Sequence, residues 1–359
     1  MKVLFCALKY DYGKPKNGLS VEYTNFFDSL SHMRGVEAEF FAIDEYTAKL
    51  GKSAANAFLL KKVQEEQPDL LFCYLLNGEL EKATVEFITR HTKTKTFNWF
   101  ADDHWRVPVF SRYWAPLFTL VSTTDAGAIE WYKSYGVTNV IKSQWGANQY
   151  LYRPIGMSEN RQVGKPDITF VGKKFGNRGK YIGYLKNHQL PAIGFGSGWP
   201  AGRVSQERMM EIFSFSKINL NFSETHYVGF AAYLKLLLKL FVAKSGSQYK
   251  FVGHHLPDNI RSALGAFHLC IKGRIFEVSA CGGFVMTGKS DDDISEYYVP
   301  GKEIVVFDNP ADLIEKCRYY LSHDEERDKI AKAGYERTLR DHTYDKRFAE
   351  IFRALQLEI

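Results

Sequence analysis

Short apolar runs alternate with stretches of helical period along most of the chain. Val3–Leu8, Ala38–Ala42, Leu70–Tyr74, Thr96–Phe100, Leu117–Ser122 and Asn139–Ile141 read as strands. Val21–Met33, Ala54–Glu65, Glu81–Arg90 and Ala126–Tyr135, between them, read as helices. A second alternation starts at Asp167, with strands predicted at Ile168–Val171, Ala192–Phe195, Ile218–Phe222, Phe284–Thr287 and Ile304–Phe307. Its helices are predicted at Arg178–Asn187, Gln206–Phe213, Arg274–Ala280, Ala311–Leu321 and Glu325–Arg340. Strand–helix alternation of this kind builds parallel sheets covered by helices.

Between the two series, Asn148–Pro166 carries Pro154, Gly156, Gly164 and Pro166 without a period, which is the signature of a linker. Two Rossmann-like domains are therefore expected, at about 1–150 and 165–340. The last helix, Asp345–Leu357, is long enough to return to the first of them.

Composition narrows the class. At 359 residues the chain exceeds what one core usually spans. The formal net charge of +6 is spread out, with no run of five like charges, so a nucleic-acid tail is not expected. A mild positive balance suits an anionic small ligand or an anionic membrane surface. The five cysteines, Cys6, Cys73, Cys270, Cys281 and Cys317, form no Cys-x-x-Cys pair and no disulfide framework. With no signal-like N-terminus and no apolar run of membrane-spanning length, the expected compartment is a reducing cytoplasm.

Candidate chemistry lies where strands give way to helices, because helix N-termini offer unpaired N–H groups to anions. Gly172-Lys173-Lys174-Phe175-Gly176-Asn177-Arg178-Gly179-Lys180 follows one strand and admits two readings, a phosphate cradle using Gly172, Lys173 and Arg178, or a solvated turn. Gly194-Phe195-Gly196-Ser197-Gly198-Trp199 after the next strand is either a ligand-lining loop or a plain strand-to-loop transition. Lys272-Gly273-Arg274 opens a later helix. Cations there disfavour the helix itself, which makes sense if an anion sits between them. Glu277 stands one turn on, placed either to bind ribose hydroxyls or to form a surface pair with Arg274, and Gly282-Gly283 closes the helix.

The pattern Lys272-Gly273-Arg274-x-Phe276-Glu277-x-x-Ala280-x-Gly282-Gly283 resembles the C-terminal signature of CgeB-like glycosyltransferases. So do Glu296-Tyr297-Tyr298, Gly301–Phe307, Ile330-Ala331-x-Ala333-Gly334 and His342-Thr343-Tyr344-x-x-Arg347-Phe348. The resemblance implies an α/β chain of GT-B type, two Rossmann-like domains whose parallel sheets face an interdomain cleft. It implies a nucleoside diphosphate sugar held by the C-terminal domain, with Glu277 on the ribose and Arg274 and Lys272 near the diphosphate; Gly273 and Gly282 of the same motif and Gly172, Lys173 and Arg178 of the earlier loop complete the candidate donor set. Neither a bound cofactor nor a metal is expected. The wider retaining group often carries a second glutamate eight residues earlier; Leu269 stands at that position here.

Asn98-Trp99-Phe100-Ala101-Asp102-Asp103-His104 resembles the same family's first-domain motif. Asp102, Asp103 and His104 are thus the candidate catalytic residues on the acceptor side, the competing reading being a helix N-cap. The implied partners are a nucleotide-sugar donor and a glycan or lipid-linked acceptor, in bacterial surface glycan synthesis. A basic amphipathic stretch, Val228–Lys244, is placed to touch a membrane, to form an oligomer contact, or to be buried. Trp145 is expected to pack between domains. A sugar-nucleotide epimerase and a non-catalytic nucleotide-sugar-binding subunit are the rival readings.

Overall fold

The computed structural model describes residues 1–156, 167–223, 237–238, 240–245, 248–251 and 255–358. Two compact units emerge, residues 1–144 with 344–359, and residues 145–343. The division falls before the proline- and glycine-bearing stretch from residue 148, because Ala147 and Tyr152 are buried among Ile271, Ile275 and Phe276 of the second unit.

In the first unit, strands β1 (Lys2–Ala7), β2 (Glu37–Ala42), β3 (Leu70–Cys73), β4 (Lys95–Phe100), β5 (Leu120–Thr123) and β6 (Val140–Lys142) form one sheet in the order β2-β1-β3-β4-β5-β6. Every pairing is parallel. Strands buried on both faces have to be apolar on both, as the runs Val3–Ala7 and Leu70–Cys73 are. On one face Leu4, Cys6, Leu71 and Cys73 meet Leu59, Val63, Val85 and Ile88 from the helices Lys52–Glu66 and Lys82–His91. On the other, Phe26 stands edge-on to Trp99 at 5.0 Å and tilted against Phe348 at 5.8 Å. Phe348 belongs to the terminal helix Tyr344–Ala354, whose buried Tyr344, Phe348, Ile351 and Phe352 tie that helix into this unit. Burial of each such side chain contributes about 2 kcal/mol.

In the second unit, β7 (Ile168–Val171), β8 (Ala192–Phe195), β9 (Ile218–Asn221), β12 (Val285–Gly288) and β13 (Val305–Phe307) form a second sheet, ordered β13-β12-β9-β7-β8. This too is wholly parallel. A separate antiparallel hairpin joins β10 (Val242–Ser245) to β11 (Gln248–Phe251). Side-chain caps set several helix starts. Asn309 accepts from the amides of Ala311 and Asp312, and Ser205 from that of Arg208.

Some elements depart from the sequence reading. The strand expected at Leu117–Ser122 begins only at Leu120, because Pro116, which has no N–H, sits in a short 3-10 turn Ala115–Leu117. Helices Ile43–Leu50 and Leu256–Gly265 were not expected. Of the amphipathic stretch Val228–Lys244, residues from Val242 are strand rather than helix, and residues 237, 238, 240 and 241 are helical. The remainder lies outside the described residues.

Candidate active site

Helix Arg274–Ala280 determines the geometry of the second unit's site. Its body, Ile275 to Ala280, is buried, whereas Lys272, Gly273 and Arg274 at its tip are half-exposed. The tip borders a recess lined by Asn221, Ser223, Lys272, Ile275, Thr287 and Ser290. Asn221 and Thr287 are the last or near-last residues of β9 and β12, and Ser223 follows β9, so the recess lies off the carboxyl ends of neighbouring parallel strands. Ligands of open α/β sheets bind at that edge.

The polar groups of the recess are held in place. Asn221 Nδ2 donates to Thr287 Oγ1 at 2.9 Å, and Ser223 Oγ donates to the Gly288 carbonyl at 2.8 Å. Lys272 differs from them, because its ammonium has no hydrogen-bond or ion-pair partner among the described residues. The amides of Ile275 and Phe276 already bond the Lys272 and Gly273 carbonyls, so a half-buried cation without a partner among the described residues, beside the Gly273 and Arg274 amides, is what makes this an electrostatic site for an anion.

Arg274 is committed elsewhere. Its Nη1 donates to the Glu277 carboxylate and to Met209 Sδ, and its guanidinium lies 5.2 Å from the centre of the Phe213 ring. The surface-pair alternative is thus half right. The pair exists, but the Glu277 side chain retains only 9% exposure, so the pair is largely out of water. Burial, followed by the Glu277 charge, raises the Tyr152 phenol and lifts the Cys281 thiol to about 12.

Gly282 is not part of this tip. It takes φ +71 as the chain leaves the helix, at the end away from Lys272, about 10 Å along the axis at 1.5 Å per residue. Its role is to terminate the helix, because a left-handed residue there satisfies the last carbonyls. At the next residue, Gly283, a Cβ would stand 2.3 Å from the Phe213 carbonyl oxygen. Trp145 packs within the second unit, with its ring about the position a Gly273 Cβ would contact, 3.5 Å away.

The glycine loop after β7 is braced rather than open. The Gly172 amide donates to the Phe195 carbonyl at 2.9 Å, and the Lys174 amide to the Ser197 carbonyl at 2.8 Å. These two donors are therefore unavailable to a phosphate, which corrects the cradle reading for Gly172. Arg178 folds back, donating to the Lys173 carbonyl at 3.1 Å over the Phe170 ring. Lys173 is exposed, with its ammonium 6.0 Å from the Phe175 ring centre. None of Gly172, Lys173 and Arg178 lines the recess beside Lys272.

In the first unit, the three acceptor-side candidates separate by environment. Asp103 is fully buried, accepting from Ser111 Oγ at 2.5 Å and from Tyr132 Oη at 2.8 Å. Burial lifts its carboxyl to about 7. His104 is buried as well. Asp102 is half-exposed at the head of the short helix Asp103–Arg106, and its side chain makes no cap bond. Asp102 thus occupies the N-cap position the alternative gave it without capping through its side chain, and Asp103 is a structural centre buried from solvent.

Residues 242–353 match the family model described as glycosyl transferase-like. The chain is 20% identical over 305 residues to the spore protein CgeB of Bacillus subtilis, covering 84% of this chain and 86% of that one. The chain has the GT-B fold and is similar to CgeB and to glycosyltransferases. Solved structures agree on the architecture. The sucrose-phosphate synthase of Thermosynechococcus elongatus superposes at TM-score 0.63 and 10% identity, covering 99% of this chain and 98% of that one. A Rickettsia africae glycosyltransferase gives 0.62 at 10% identity, with 99% of each chain covered. Anabaena HepE in complex with UDP-glucose gives 0.61 at 12% identity, again over 99% of each.

Asn221, Ser223, Thr287 and Ser290 escaped the sequence reading. Asn221 and Thr287 left one trace, as polar residues at the ends of otherwise apolar strands.

Proposed function

We propose that this glycosyltransferase moves a sugar from a nucleoside diphosphate sugar to a hydroxyl acceptor, and that the second unit holds the donor at the tip of helix Arg274–Ala280. The observation that carries this reading is the Lys272 ammonium, without a partner among the described residues, in a recess at the strand ends. Lys272 and the amides of Gly273 and Arg274 neutralise the diphosphate, and they stabilise it as it leaves with its negative charge. Asn221, Ser223, Thr287 and Ser290 supply neutral polar contacts around it. Glu277, fixed by Arg274, is the carboxylate for the ribose hydroxyls. Lys173 and Arg178 lie after a neighbouring strand and serve the outer part of the donor. Asp102, the half-exposed acid of the first unit, meets the acceptor there.

A uridine nucleotide is the donor we favour, because HepE and an alpha-glucosyltransferase of similar fold are described as complexes with UDP-glucose. The likeness to a spore protein supports work on a bacterial surface glycan. No described helix is long and apolar enough to cross a membrane. Five free cysteines, four of them buried, support a reducing cytoplasm.

Thermal shift against UDP-, GDP-, ADP- and dTDP-sugars tests the donor assignment. Binding at a hundred times the dissociation constant stabilises by ~2.7 kcal/mol. Absence of a shift with every nucleotide sugar would end the reading. An epimerase would convert labelled donor alone, and a binding subunit would hold donor without turnover across acceptors.

A further inference from the structure

We propose that the connection between β9 and helix Arg274–Ala280 carries a docking surface for an anionic lipid bilayer. Exposed apolar side chains of helix Leu256–Gly265, of residues 237–241 and of the β10–β11 hairpin form it. The inference is independent of the donor reading, because none of these residues borders the recess at Lys272.

Helix Leu256–Gly265 has an apolar face that the fold leaves largely uncovered. Leu256, Ile260, Ala263 and Leu264 recur at the spacing that stacks side chains on one side of a helix, with Asp258, Arg261 and Ser262 on the other. Such a stripe ordinarily turns inward. Here no residue of the helix is buried, and Leu264 keeps 67% of its surface in solvent.

Two neighbours extend the face. Asn259 Nδ2 donates to the Leu240 carbonyl at 2.8 Å, which fixes the helical residues 237, 238, 240 and 241 beside it. Leu237, Leu238 and Phe241 are exposed there. The chain then enters β10, whose first residue, Val242, pairs with Phe251 of β11, and Phe251 is 70% exposed. A two-stranded hairpin outside any larger sheet is marginal in water, so its apolar pair gains from being covered. Adjoining apolar surface on this scale marks a docking site rather than ordinary scattered exposure.

Charge identifies what docks. Residues 228–267 carry Lys235, Lys239, Lys244, Lys250 and Arg261 against one acid, Asp258, so this stretch holds four of the chain's six net positive charges. A second copy of the chain would bring the same excess against itself, and like charges repel. Nucleic acid would take up the charge but leave Leu237, Leu238 and Leu264 in water. A bilayer with anionic headgroups satisfies both features. Each Lys or Arg gains about 1 kcal/mol near such a surface, and apolar side chains enter the boundary between headgroups and acyl chains. The unpaired edges of the hairpin keep it at that boundary, because open sheet edges do not enter hydrocarbon.

The test is co-sedimentation of the full chain with vesicles of phosphatidylcholine alone, and of phosphatidylcholine with one-third phosphatidylglycerol, at low and high salt. Analytical ultracentrifugation of the lipid-free chain accompanies it. Wild type should bind the phosphatidylglycerol vesicles about tenfold more tightly than the neutral ones, and should release them as salt rises. Phe251→Ser with Leu264→Ser, and separately Lys250→Glu with Arg261→Glu, should each weaken that binding about tenfold, with melting and UDP affinity unchanged. Equal binding to both vesicles, no binding to either, or variants that bind as the wild type does would each overturn the proposal. So would a concentration-dependent dimer that Phe251→Ser with Leu264→Ser abolishes, which would assign the surface to a second copy. Vesicle binding by a chain that binds no UDP would sink the donor reading and leave this surface standing.

Discussion

Tyr132 donates its phenolic hydrogen to the buried Asp103 carboxylate at 2.8 Å, across 29 residues of chain. Ser111 supplies a second donor, so an acid in a tempting motif serves the interior of its own unit. The pH dependence of stability follows. The folded carboxyl titrates near 7, above its ordinary value of 3.8, so the folded state holds a proton the unfolded chain has released. Stability from this group is full below about pH 4 and is lost as pH rises toward 7. The stability difference between wild type and Asp103→Asn, read from melts at pH 5 and pH 8, should shrink by about 2–3 kcal/mol at the higher pH. A difference independent of pH would contradict the assignment.

Lys272→Ala should weaken UDP binding about 10- to 100-fold, the worth of a charge-assisted contact of ~1.5–3 kcal/mol. Melting should barely move, because the ammonium has no partner to lose among the described residues. Calorimetric titration at two salt concentrations checks both the affinity and its electrostatic origin.

Arg274→Ala is expected to behave differently, since it takes the paired cation away from a largely buried Glu277 carboxylate. A destabilisation of about 3 kcal/mol is expected, with the Arg274→Met, Glu277→Gln double variant recovering most of it. Denaturant unfolding of the single and double variants measures the coupling. Equal stability of Arg274→Ala and wild type would show that the pair carries no structural weight.

Gly282→Ala and Gly283→Ala separate two roles in one dipeptide. The first places a Cβ at φ +71 and should cost about 1–2 kcal/mol, leaving UDP affinity intact. The second drives a Cβ to 2.3 Å from a backbone oxygen, and should cost about 3 kcal/mol or more. Melting temperature and UDP titration of both variants read the contrast. Loss of UDP binding in Gly282→Ala alone would restore that glycine to the donor site.

Local pattern determined much of this protein. Alternation of apolar runs and helical periods wrote both parallel sheets, because strand and helix periods are properties of neighbouring residues. Strand Ile168–Val171 and helices Arg178–Asn187 and Arg274–Ala280 were legible to the residue. The motif around Lys272 was legible too, since a cationic helix start is a local electrostatic oddity.

Tertiary structure decided which members of each motif are available. Gly172 lost its amide to Phe195, Arg274 went to Glu277 and Met209, and Asp103 went to Tyr132 and Ser111. Apart from Arg274–Glu277 and Asp103–Ser111, these partners stand more than 20 residues away in sequence, where no periodicity reaches. The same pairing left Lys272 without a partner among the described residues. A group's chemistry is written in its side chain, but its freedom to act depends on what the fold brings next to it.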